Sequence, residues 1–208
     1  MRLADLPTPA LLLDRAALGR NLRMMAGAVG RHGVTLRPHL KTAKSIDVAM
    51  LAAPGFGPIT VSTLAEAQHF AEAGFRDQIY AVGIVPAKLD AVAALNARGA
   101  DVKVITDDVE TARAIAAHPG WIRALAEVDV GESRGGVAAD DDALPAIAAA
   151  LGPRFAGVLT HAGHSYAGRS VAEIRAIAEA ERAGIVRAAE RLRAAGRSEE
   201  RRVGKECR

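Results

Sequence analysis

Hydrophobic residues fall along the chain in short runs, and longer stretches with the spacing of amphipathic helices separate these runs. The runs have the length of buried strands and begin near Val34, Ile59, Gln78, Val102, Ile122 and Phe155. An extended segment at residues 9–13 precedes the first of them. The helical spacing predicts helices at 15–31, 44–51, 64–73, 87–97, from 109 onward, at 142–151 and at 171–195.

Residues that begin or end helices lie at the boundaries of these elements. Asp14 precedes the first helix, and Asp107 or Asp108 precedes the helix from 109, because an aspartate there accepts hydrogen bonds from the first free backbone N–H groups. Gly74 and Gly99 follow two other helices, where glycine takes the left-handed conformation that ends a helix. Strand–helix alternation with short connections predicts a parallel sheet covered by crossover helices.

Two parallel architectures fit this alternation: a doubly wound open sheet and a (β/α)8 barrel. A dinucleotide-binding doubly wound sheet carries G-x-G-x-x-G after its first strand, whereas this chain has Arg37-Pro38-His39-Leu40-Lys41 there. The sequence therefore favours an α/β fold of the TIM-barrel type. A complete barrel has eight strand–helix units. Because we count about six, we expect an incomplete barrel that lacks the last two units.

Length and composition narrow the possible function classes. The 208 residues are typical of one domain, and half of them are hydrophobic. No apolar run approaches the roughly 18 residues of a membrane span, and the N-terminus lacks the pattern of a signal peptide. We therefore expect a cytoplasmic protein without membrane contact. The single cysteine excludes a disulfide framework.

The last twelve residues, 197–208, follow a helix directly and show no apolar periodicity. Their sequence matches the translation of a common sequencing adapter, and we interpret them as read-through rather than as a domain; an ordinary charged tail is the alternative. Without their five Lys/Arg and three Asp/Glu, the formal net charge falls from +3 to +1. The basic balance thus gives no support for nucleic-acid binding, and residues 1–196 are expected to form the partial barrel domain.

Polar motifs follow three of the predicted strands, at the ends where barrel enzymes place their active sites. In the first motif, Arg37, His39 and Lys41 alternate along extended chain and are expected to point the same way. A lysine aimed into a barrel mouth suits condensation with a carbonyl group, and the two neighbouring basic residues would lower its pKa. An ordinary basic surface loop is the alternative interpretation.

The second motif surrounds an arginine with glycines. Gly131, Gly135 and Gly136 permit tight turns and the close approach of a ligand. Arg134 between them is a fixed cation with a planar hydrogen-bonding fork. A glycine turn with a solvated arginine is the alternative interpretation.

The third motif reads His161-Ala162-Gly163-His164-Ser165-Tyr166. Two histidines three residues apart are compatible with a metal site, but no Cys, Asp or Glu lies nearby in the sequence, so no metal ligand is assigned. We expect the histidines to contact a ligand through hydrogen bonds or packing.

These motifs resemble those of the alanine racemase N-terminal barrel superfamily, and within it the D-threonine aldolase/D-serine dehydratase group. The resemblance covers about residues 5–196. It rests on the order and the strand-end positions of four motifs: Thr8-Pro9-Ala10 with Asp14, Arg37-Pro38-His39-x-Lys41-Thr42, Gly131-x-x-Arg134-x-Gly136-Val137 and His161-Ala162-Gly163-His164-Ser165-Tyr166. One position departs from the pattern, since Ala43 stands where many relatives have histidine.

The resemblance implies a fold-type III enzyme that uses pyridoxal 5′-phosphate, with Lys41 as the catalytic lysine that carries the cofactor. It implies cofactor contacts from His39 beside that lysine and from Arg134 against the pyridine nitrogen. An arginine at that nitrogen leaves it unprotonated, which makes the ring a weaker electron sink than an aspartate partner would.

The resemblance also implies roles for the third motif. Ser165 and Tyr166 would contact the phosphate or the ring of the cofactor, and His161 and His164 would be catalytic residues near the substrate. The implied substrate is a small D-β-hydroxy amino acid. The enzyme would cleave it to glycine and an aldehyde, as a D-threonine aldolase does, or remove its hydroxyl as water, as a D-serine dehydratase does.

Some implied features lie outside this chain. Relatives bind a divalent metal in a C-terminal β-domain, which is missing here, and they form homodimers. An open six-strand barrel exposes two strand edges, so we expect the 208-residue chain by itself to be unstable and inactive. A non-catalytic pyridoxal-phosphate-binding barrel and an amino-acid racemase are the alternative functions.

Overall fold

The computed structural model describes residues 2–196, and the interpretation of 197–208 as adapter read-through lies outside the described residues. The strands are β1 (Ile59–Val61), β2 (Asp77–Gly83), β3 (Asp101–Thr106), β4 (Ala124–Asp129), β5 (Val137–Ala138) and β6 (Phe155–Thr160). The helices are α1 (Arg15–Gly30), α2 (Ile46–Ala52), α3 (Leu64–Glu72), α4 (Leu89–Ala97), α5 (Val109–Ala117), α6 (Ala143–Leu151) and α7 (Val171–Ala194). In this described part of the chain, no helix is long and apolar enough to cross a bilayer.

The main strands pair in the order in which they occur in the chain. β1 pairs with β2, β2 with β3, β3 with β4, and β4 with β6, and every pair is parallel. A doubly wound sheet reverses its strand order near the middle, whereas a barrel keeps successive strands as neighbours. The observed order is therefore the barrel arrangement expected from the sequence.

Alternate residues of each strand enter two different apolar layers. Val102 and Val104 of β3 belong to the main core between the sheet and the helices. Ile79, Ile105 and Leu125 lie on the opposite face and form a second cluster. The two-residue period of a strand causes this division. Because both faces are covered along most of the sheet, the strands are largely apolar in sequence.

The first predicted strand, at 34–36, is wrong. The chain pairs with β1 only further on, where His39 and Thr60 form an isolated parallel bridge. Leu40 N donates to Thr60 O (3.0 Å) and Thr60 N donates to Pro38 O (2.9 Å). Since proline has no N–H group to extend the ladder, the pairing is confined to this one bridge.

β5 is absent from the prediction made from the sequence. It contains two residues, which pair with Val128 and Asp129 of β4. β6 occupies the other edge of β4 as far as Val128, so β5 continues the line of β3 beyond Thr106. A strand of two residues has neither the length nor the alternation that identifies a strand in a sequence.

The helices agree with the prediction, with ends within two residues of the expected ones. Asp14 caps α1 by accepting hydrogen bonds from two backbone N–H groups, both at 2.9 Å. Asp108, rather than Asp107, caps α5. Asp107 instead accepts a hydrogen bond from Gly136 N, in the loop after β4.

α1 lies on the surface with little cover. None of its 16 residues is buried, and Met24 and Met25 are exposed. A cleft of about 560 Å³ runs between α1 and α2, with Leu18, Leu22 and Leu51 among its lining residues.

Charged side chains pair with one another at the amino-terminal end of the sheet. Arg37 donates to both carboxylate oxygens of Asp77, at 2.9 and 3.0 Å, and Lys103 donates to Asp77 and Asp101, both at 2.7 Å. Arg123 also pairs with Asp101. Burial opposes ionisation of Asp77, but Lys103 and Arg37 outweigh it and hold the pKa of that carboxyl below its ordinary value.

Asp77→Asn is expected to destabilise the fold at neutral pH, because it removes the carboxylate that Arg37 and Lys103 share. The side chain of Asp77 is 44% exposed, so solvent screens these pairs. We expect a loss of about 1 kcal/mol, or a melting midpoint roughly 3 °C lower. A lowered folded-state pKa stabilises the fold above the unfolded-state pKa of about 3.9, and this stabilisation is lost as the pH falls through the folded-state value.

Thermal melts should therefore separate Asp77→Asn from the parent chain at pH 7 and bring the two together once the pH falls below the folded-state pKa of Asp77. Glu110→Gln is the matched control, because it removes an exposed helix carboxylate that also pairs with an arginine. Equal losses in both variants, or a difference that persists at low pH, would contradict the role given to Asp77.

Candidate active site

Lys41 lies at the carboxyl-terminal side of the sheet, in the loop that follows the bridge to β1. Its side chain is exposed. Within residues 2–196 it is the one lysine whose side chain has neither an ion pair nor a hydrogen bond, because partners hold Lys44, Lys88 and Lys103. The fold therefore leaves this amine free.

His39 is the immediate neighbour of Lys41. Its Nδ1 accepts a hydrogen bond from the backbone N–H of Lys41 at 3.3 Å. Burial lowers the pKa of His39, and the positive charges of Lys41 and His161 add to this effect, while Glu66 and a backbone hydrogen bond oppose it. The ring of His39 is thus neutral near pH 7, which agrees with a nitrogen that accepts a hydrogen bond.

A buried carboxylate anchors the loop that carries the free lysine. Glu66, in the first turn of α3, accepts a hydrogen bond from Ser62 N (2.8 Å) and lies 3.2 Å from Lys44 Nζ. Lys44 has a φ of 46° and donates its N–H to Leu40 O at 2.9 Å. Burial opposes ionisation of Glu66, but the Ser62 N–H group and Lys44 keep its pKa below the ordinary value. Residues 40–44 are therefore held in one turn.

The expectation that Arg37 points toward Lys41 together with His39 is wrong. Arg37 Nη1 donates to the carbonyl oxygens of Ile59 and Asp77, both at 3.1 Å, and Nη2 binds the Asp77 carboxylate. Asp77 is the first residue of β2 and so lies at the opposite end of the sheet. Pairing with a carboxylate is more favourable for the guanidinium than a position beside another cation.

Asp129 holds the shape of the loop after β4. Its Oδ1 accepts hydrogen bonds from the N–H groups of Gly131 and Ser133, both at 3.0 Å. Burial opposes ionisation of Asp129, but backbone donors outweigh it and lower the pKa of the carboxyl. With φ at 116° in Gly131 and 55° in Ser133, the chain turns sharply before it reaches Arg134.

Gly136 lies directly against the backbone of β4. Its φ is 95°, and a Cβ there would lie 2.5 Å from Asp129 N and 2.8 Å from the carbonyl carbon of Val128. The Gly136 N–H group donates to Asp107 Oδ2 at 2.8 Å. Glycine at position 136 therefore permits close approach to the backbone of β4, and not to a ligand as the sequence suggested.

The third motif forms a 3-10 turn, Gly163–Ala167, directly after β6. The ring centroids of His161 and Tyr166 are 6.1 Å apart, with the ring planes inclined by 60°. Tyr166 is 80% exposed, whereas Ser165 is partly buried. Because the charge of His161 acts on His39, this turn lies near the loop of the free lysine.

His164 carries an unpaired nitrogen inside the protein. Its Nδ1 is buried and has no hydrogen-bond partner in the described part of the chain. The other ring nitrogen faces the glycine loop, since a Cβ added to Gly131 would lie 3.6 Å from Nε2. A buried polar atom without a partner costs about 1–3 kcal/mol. Such an atom marks a place where a ligand can supply the missing hydrogen bond.

Glu132 connects the second motif with the third. Its Oε2 accepts a hydrogen bond from Gly163 N at 3.2 Å, and its Oε1 lies 3.4 Å from Arg134 Nη1. Together with the interaction between His161 and His39, this contact brings the three predicted motifs to one end of the sheet. The roles assigned to the individual residues stay predictions.

Two more carboxylates, Glu127 and Asp107, lie at this end of the sheet. A Cβ built on Gly135 would be 3.4 Å from Glu127 Oε2 and 3.6 Å from Asp107 Oδ2. Burial raises the pKa of Glu127, Asp107 adds to this effect, and Arg134 opposes it. Even so, the described residues contain no group of three or more His, Cys, Asp or Glu side chains placed to hold a metal ion.

Sequence reasoning missed three glutamates that shape the site: Glu66, Glu127 and Glu132. Glu127 and Asp129 are two residues apart at the end of an apolar run, a spacing that puts both on one face of a strand. Glu66 stands three residues after Thr63, which is the spacing of a capping box. These two patterns are visible in the sequence, whereas the contacts of Glu132 depend on the fold.

Comparison with known proteins identifies relatives along nearly the whole chain. The family model of the alanine racemase N-terminal domain matches residues 13–204. The chain is 45% identical over 207 residues to a D-threo-3-hydroxyaspartate dehydratase from Delftia sp. (strain HT23), covering 93% of this chain and 53% of that protein. It is 38% identical over 148 residues to a D-threonine aldolase from Arthrobacter sp., covering 68% of this chain and 38% of that protein.

Solved structures also match nearly the whole of this chain and about half of their own length. An alanine racemase-like protein from Idiomarina loihiensis matches with a TM-score of 0.89 and 38% identity, over 93% of this chain and 53% of that one. The Delftia dehydratase matches with a TM-score of 0.88 over 92% of this chain and 53% of that one. These matches confirm the α/β barrel fold and the resemblance drawn from the motifs. The chain spans about half the length of the curated relatives it matches.

Gly136→Ala is expected to destabilise the protein by about 3 kcal/mol, because the added methyl group meets the backbone of β4, which cannot move aside as a flexible side chain can. Gly33→Ala is the control: Gly33 has a φ of 62°, but no atom lies within 4 Å of a Cβ built there. It should lose only the 1–2 kcal/mol or so of the left-handed conformation.

Urea unfolding of the two variants and the parent chain measures both losses. Equal losses would show that the backbone conformation alone, and not the contact with β4, requires glycine at position 136.

Proposed function

The chain belongs to the family of the alanine racemase N-terminal domain, and we propose that it is the barrel part of a pyridoxal-phosphate-dependent lyase for D-β-hydroxy amino acids. Enzymes of this family depend on pyridoxal phosphate, and the relatives named above are a dehydratase and an aldolase of such substrates. The observation that carries the proposal is the free amine of Lys41, next to neutral His39 and near His161.

The surroundings of Lys41 explain why this lysine is suited to the chemistry. An amine condenses with a carbonyl group only in its neutral form, and an ion pair with a carboxylate would hold it charged. Glu66 holds Lys44 in this way, three residues along the chain. Within residues 2–196, no carboxylate does the same to Lys41.

The neighbouring residues fit a phosphorylated aromatic cofactor. Arg134 is 61% exposed and offers a cation to an anionic or ring-nitrogen partner. Ser165 and Tyr166 offer hydroxyl groups on the turn after β6, and cations together with hydroxyl donors favour a phosphate group. The buried Nδ1 of His164 has no hydrogen-bond partner among the described residues, and a bound molecule can supply one.

In the proposed site, Lys41 holds the cofactor covalently, and His39, Arg134, Ser165 and Tyr166 contact it. When bound, pyridoxal phosphate supplies an electron sink for negative charge at the substrate α-carbon. Arg134 donates hydrogen bonds without transferring a proton, and its ion pair with a carboxylate keeps it beside the site. Exposure of Tyr166 leaves its hydroxyl free to turn toward a ligand.

We assign proton transfer at the substrate β-hydroxyl to His161 and His164. A neutral imidazole can take the hydroxyl proton when the Cα–Cβ bond breaks, as in an aldolase, and an imidazolium can give a proton to the departing hydroxyl, as in a dehydratase. The relative with 45% identity is named for D-threo-3-hydroxyaspartate. That compound is therefore the first substrate to test, ahead of D-threonine and D-serine.

Pyridoxal phosphate followed by sodium borohydride should attach a pyridoxyl group to Lys41 of the 208-residue chain, because this amine is free whereas Lys44, Lys88 and Lys103 are paired. Peptide mass spectrometry locates the label. Lys41→Ala should lower the total label about tenfold, since a stoichiometric site is lost. Lys44→Arg, which keeps the ion pair with Glu66, should retain the label at position 41. Equal labelling of the lysines at 41, 44, 88 and 103 would refute a specific site.

Turnover is proposed for the whole protein, because this chain spans about half of its relatives, and none is expected from the 208-residue chain alone. A fusion of residues 1–196 to the second half of the Delftia dehydratase should convert D-threo-3-hydroxyaspartate to oxaloacetate and ammonia. An aldolase would instead release glycine and glyoxylate. In the same fusion, Lys41→Ala should lower kcat by roughly a thousandfold or more.

Product analysis also separates the alternative functions. A racemase would release the enantiomer of the substrate without cleavage. Labelling of Lys41 without any turnover in the fusion would favour a non-catalytic cofactor-binding barrel and would contradict the proposed lyase.

A further inference from the structure

One carboxylate, that of Glu132, touches both the loop after β4 and the turn Gly163–Ala167. One oxygen accepts the Gly163 N–H group at 3.2 Å, and the other lies 3.4 Å from Arg134 Nη1. The Glu132 side chain is only 20% exposed, whereas that of Arg134 is 61% exposed. The glutamate is therefore the fixed member of this pair, and the arginine is the member that it restrains.

The backbone on both sides of Glu132 is fixed as well. The flanking residues Gly131 and Ser133 each donate an N–H group to the same oxygen of Asp129, at 3.0 Å. Asp129 is the last residue of β4, so this loop conformation is tied to the sheet. Glu132 thus reaches Gly163 from a rigid base.

Gly163 completes the contact because it has no side chain. A Cβ at this position would lie 2.6 Å from the carboxyl carbon of Glu132 and 2.8 Å from its Oε2. Gly163 is buried, so its N–H group needs a protein partner once it leaves water. In this conformation, the carboxylate therefore fills the space that a Cβ at position 163 would take.

Without Glu132, the guanidinium of Arg134 has another carboxylate to turn to. Gly135, the residue after Arg134, lies against Glu127, since a Cβ built on it would be 3.4 Å from Glu127 Oε2, and Arg134 opposes the rise in the pKa of Glu127. Pairing with Glu127 would draw the arginine toward β4 and away from the turn Gly163–Ala167. Two carboxylates therefore compete for the guanidinium of Arg134, and in this structure Glu132 forms the ion pair.

We propose that Glu132 is a positioning residue that couples the Arg134 loop to the turn Gly163–Ala167, so that the arginine and the histidine turn keep one relative position. This inference rests on the proposed function, because Arg134 matters to the site as a contact of the cofactor. Glu132 itself acts through Arg134 and is not placed on the cofactor.

The test is a double-mutant cycle on the affinity for pyridoxal phosphate of the fusion of residues 1–196 to the second half of the Delftia dehydratase, measured by absorbance titration. Glu132→Ala and Arg134→Ala should each weaken binding about tenfold, and the double variant should be no more than about twofold weaker than Arg134→Ala alone, because the glutamate acts through the arginine. Glu132→Gln retains an oxygen for Gly163 but loses the charge, so its affinity should lie between those of the parent and Glu132→Ala.

Glu179→Gln is the matched control, since Glu179 also pairs with an arginine but lies exposed on α7; it should bind as the parent does. Melting midpoints of all variants separate positioning from stability. A lower midpoint for Glu132→Ala with unchanged affinity, or independent losses in the double variant, would overturn the inference.

Borohydride labelling of the parent chain separates this inference from the proposed function. If the parent acquires no label at Lys41, the proposed function fails and the inference fails with it. If Lys41 is labelled and the two losses of affinity multiply independently, only the role of Glu132 is wrong.

Discussion

Parallel pairing of the strands in chain order is the constraint on which the candidate site depends. It places the carboxyl ends of β1, β4 and β6 at one rim of the sheet, so loops separated by long stretches of chain become neighbours there. Lys41 reaches this rim without belonging to a strand, because the bridge between His39 and Thr60 sets the direction of its loop. Any change that broke this pairing would scatter the three motifs even if every motif residue remained.

The two ends of the sheet differ in how completely their charged and polar groups are paired. At the amino-terminal end, cations and carboxylates neutralise one another, as Arg37, Asp77 and Lys103 do. At the carboxyl-terminal end, the amine of Lys41 and the Nδ1 of His164 have no partner within residues 2–196. A buried polar atom without a partner, such as the Nδ1 of His164, costs energy unless a ligand binds it, whereas the exposed amine of Lys41 is solvated. This contrast supports the proposed position of the site at the carboxyl-terminal end.

Much of the fold is readable in the sequence, because local rules govern it. Helical spacing and capping residues locate the helices to within two residues, and apolar runs locate the long strands. The apolar run at 34–36 fails as a strand, and β5 escapes notice, because strand formation depends on a partner that local sequence does not identify. The family resemblance follows from motif order, which the structural matches confirm.

The site is readable in part, for a related reason. The two-residue period of extended chain predicts that Arg37 lies on the same side as Lys41. It cannot show that Asp77, 40 residues later, draws the guanidinium to the far end of the sheet. Likewise, Glu132 is plainly visible beside Arg134, but its contact with Gly163 spans 31 residues. Residue types and spacing thus identify the motifs, and only the fold identifies the contacts between them.

The fit between Glu132 and Gly163 also has an evolutionary consequence. Since a Cβ at 163 would displace the carboxylate at 132 from its present position, we expect the two positions to change together among homologous proteins. A lineage with alanine or serine at 163 should carry a shorter residue at 132, and the intermediate with both larger side chains should be rare. Correlated substitution at this pair would then record which descendants kept the link between the two loops.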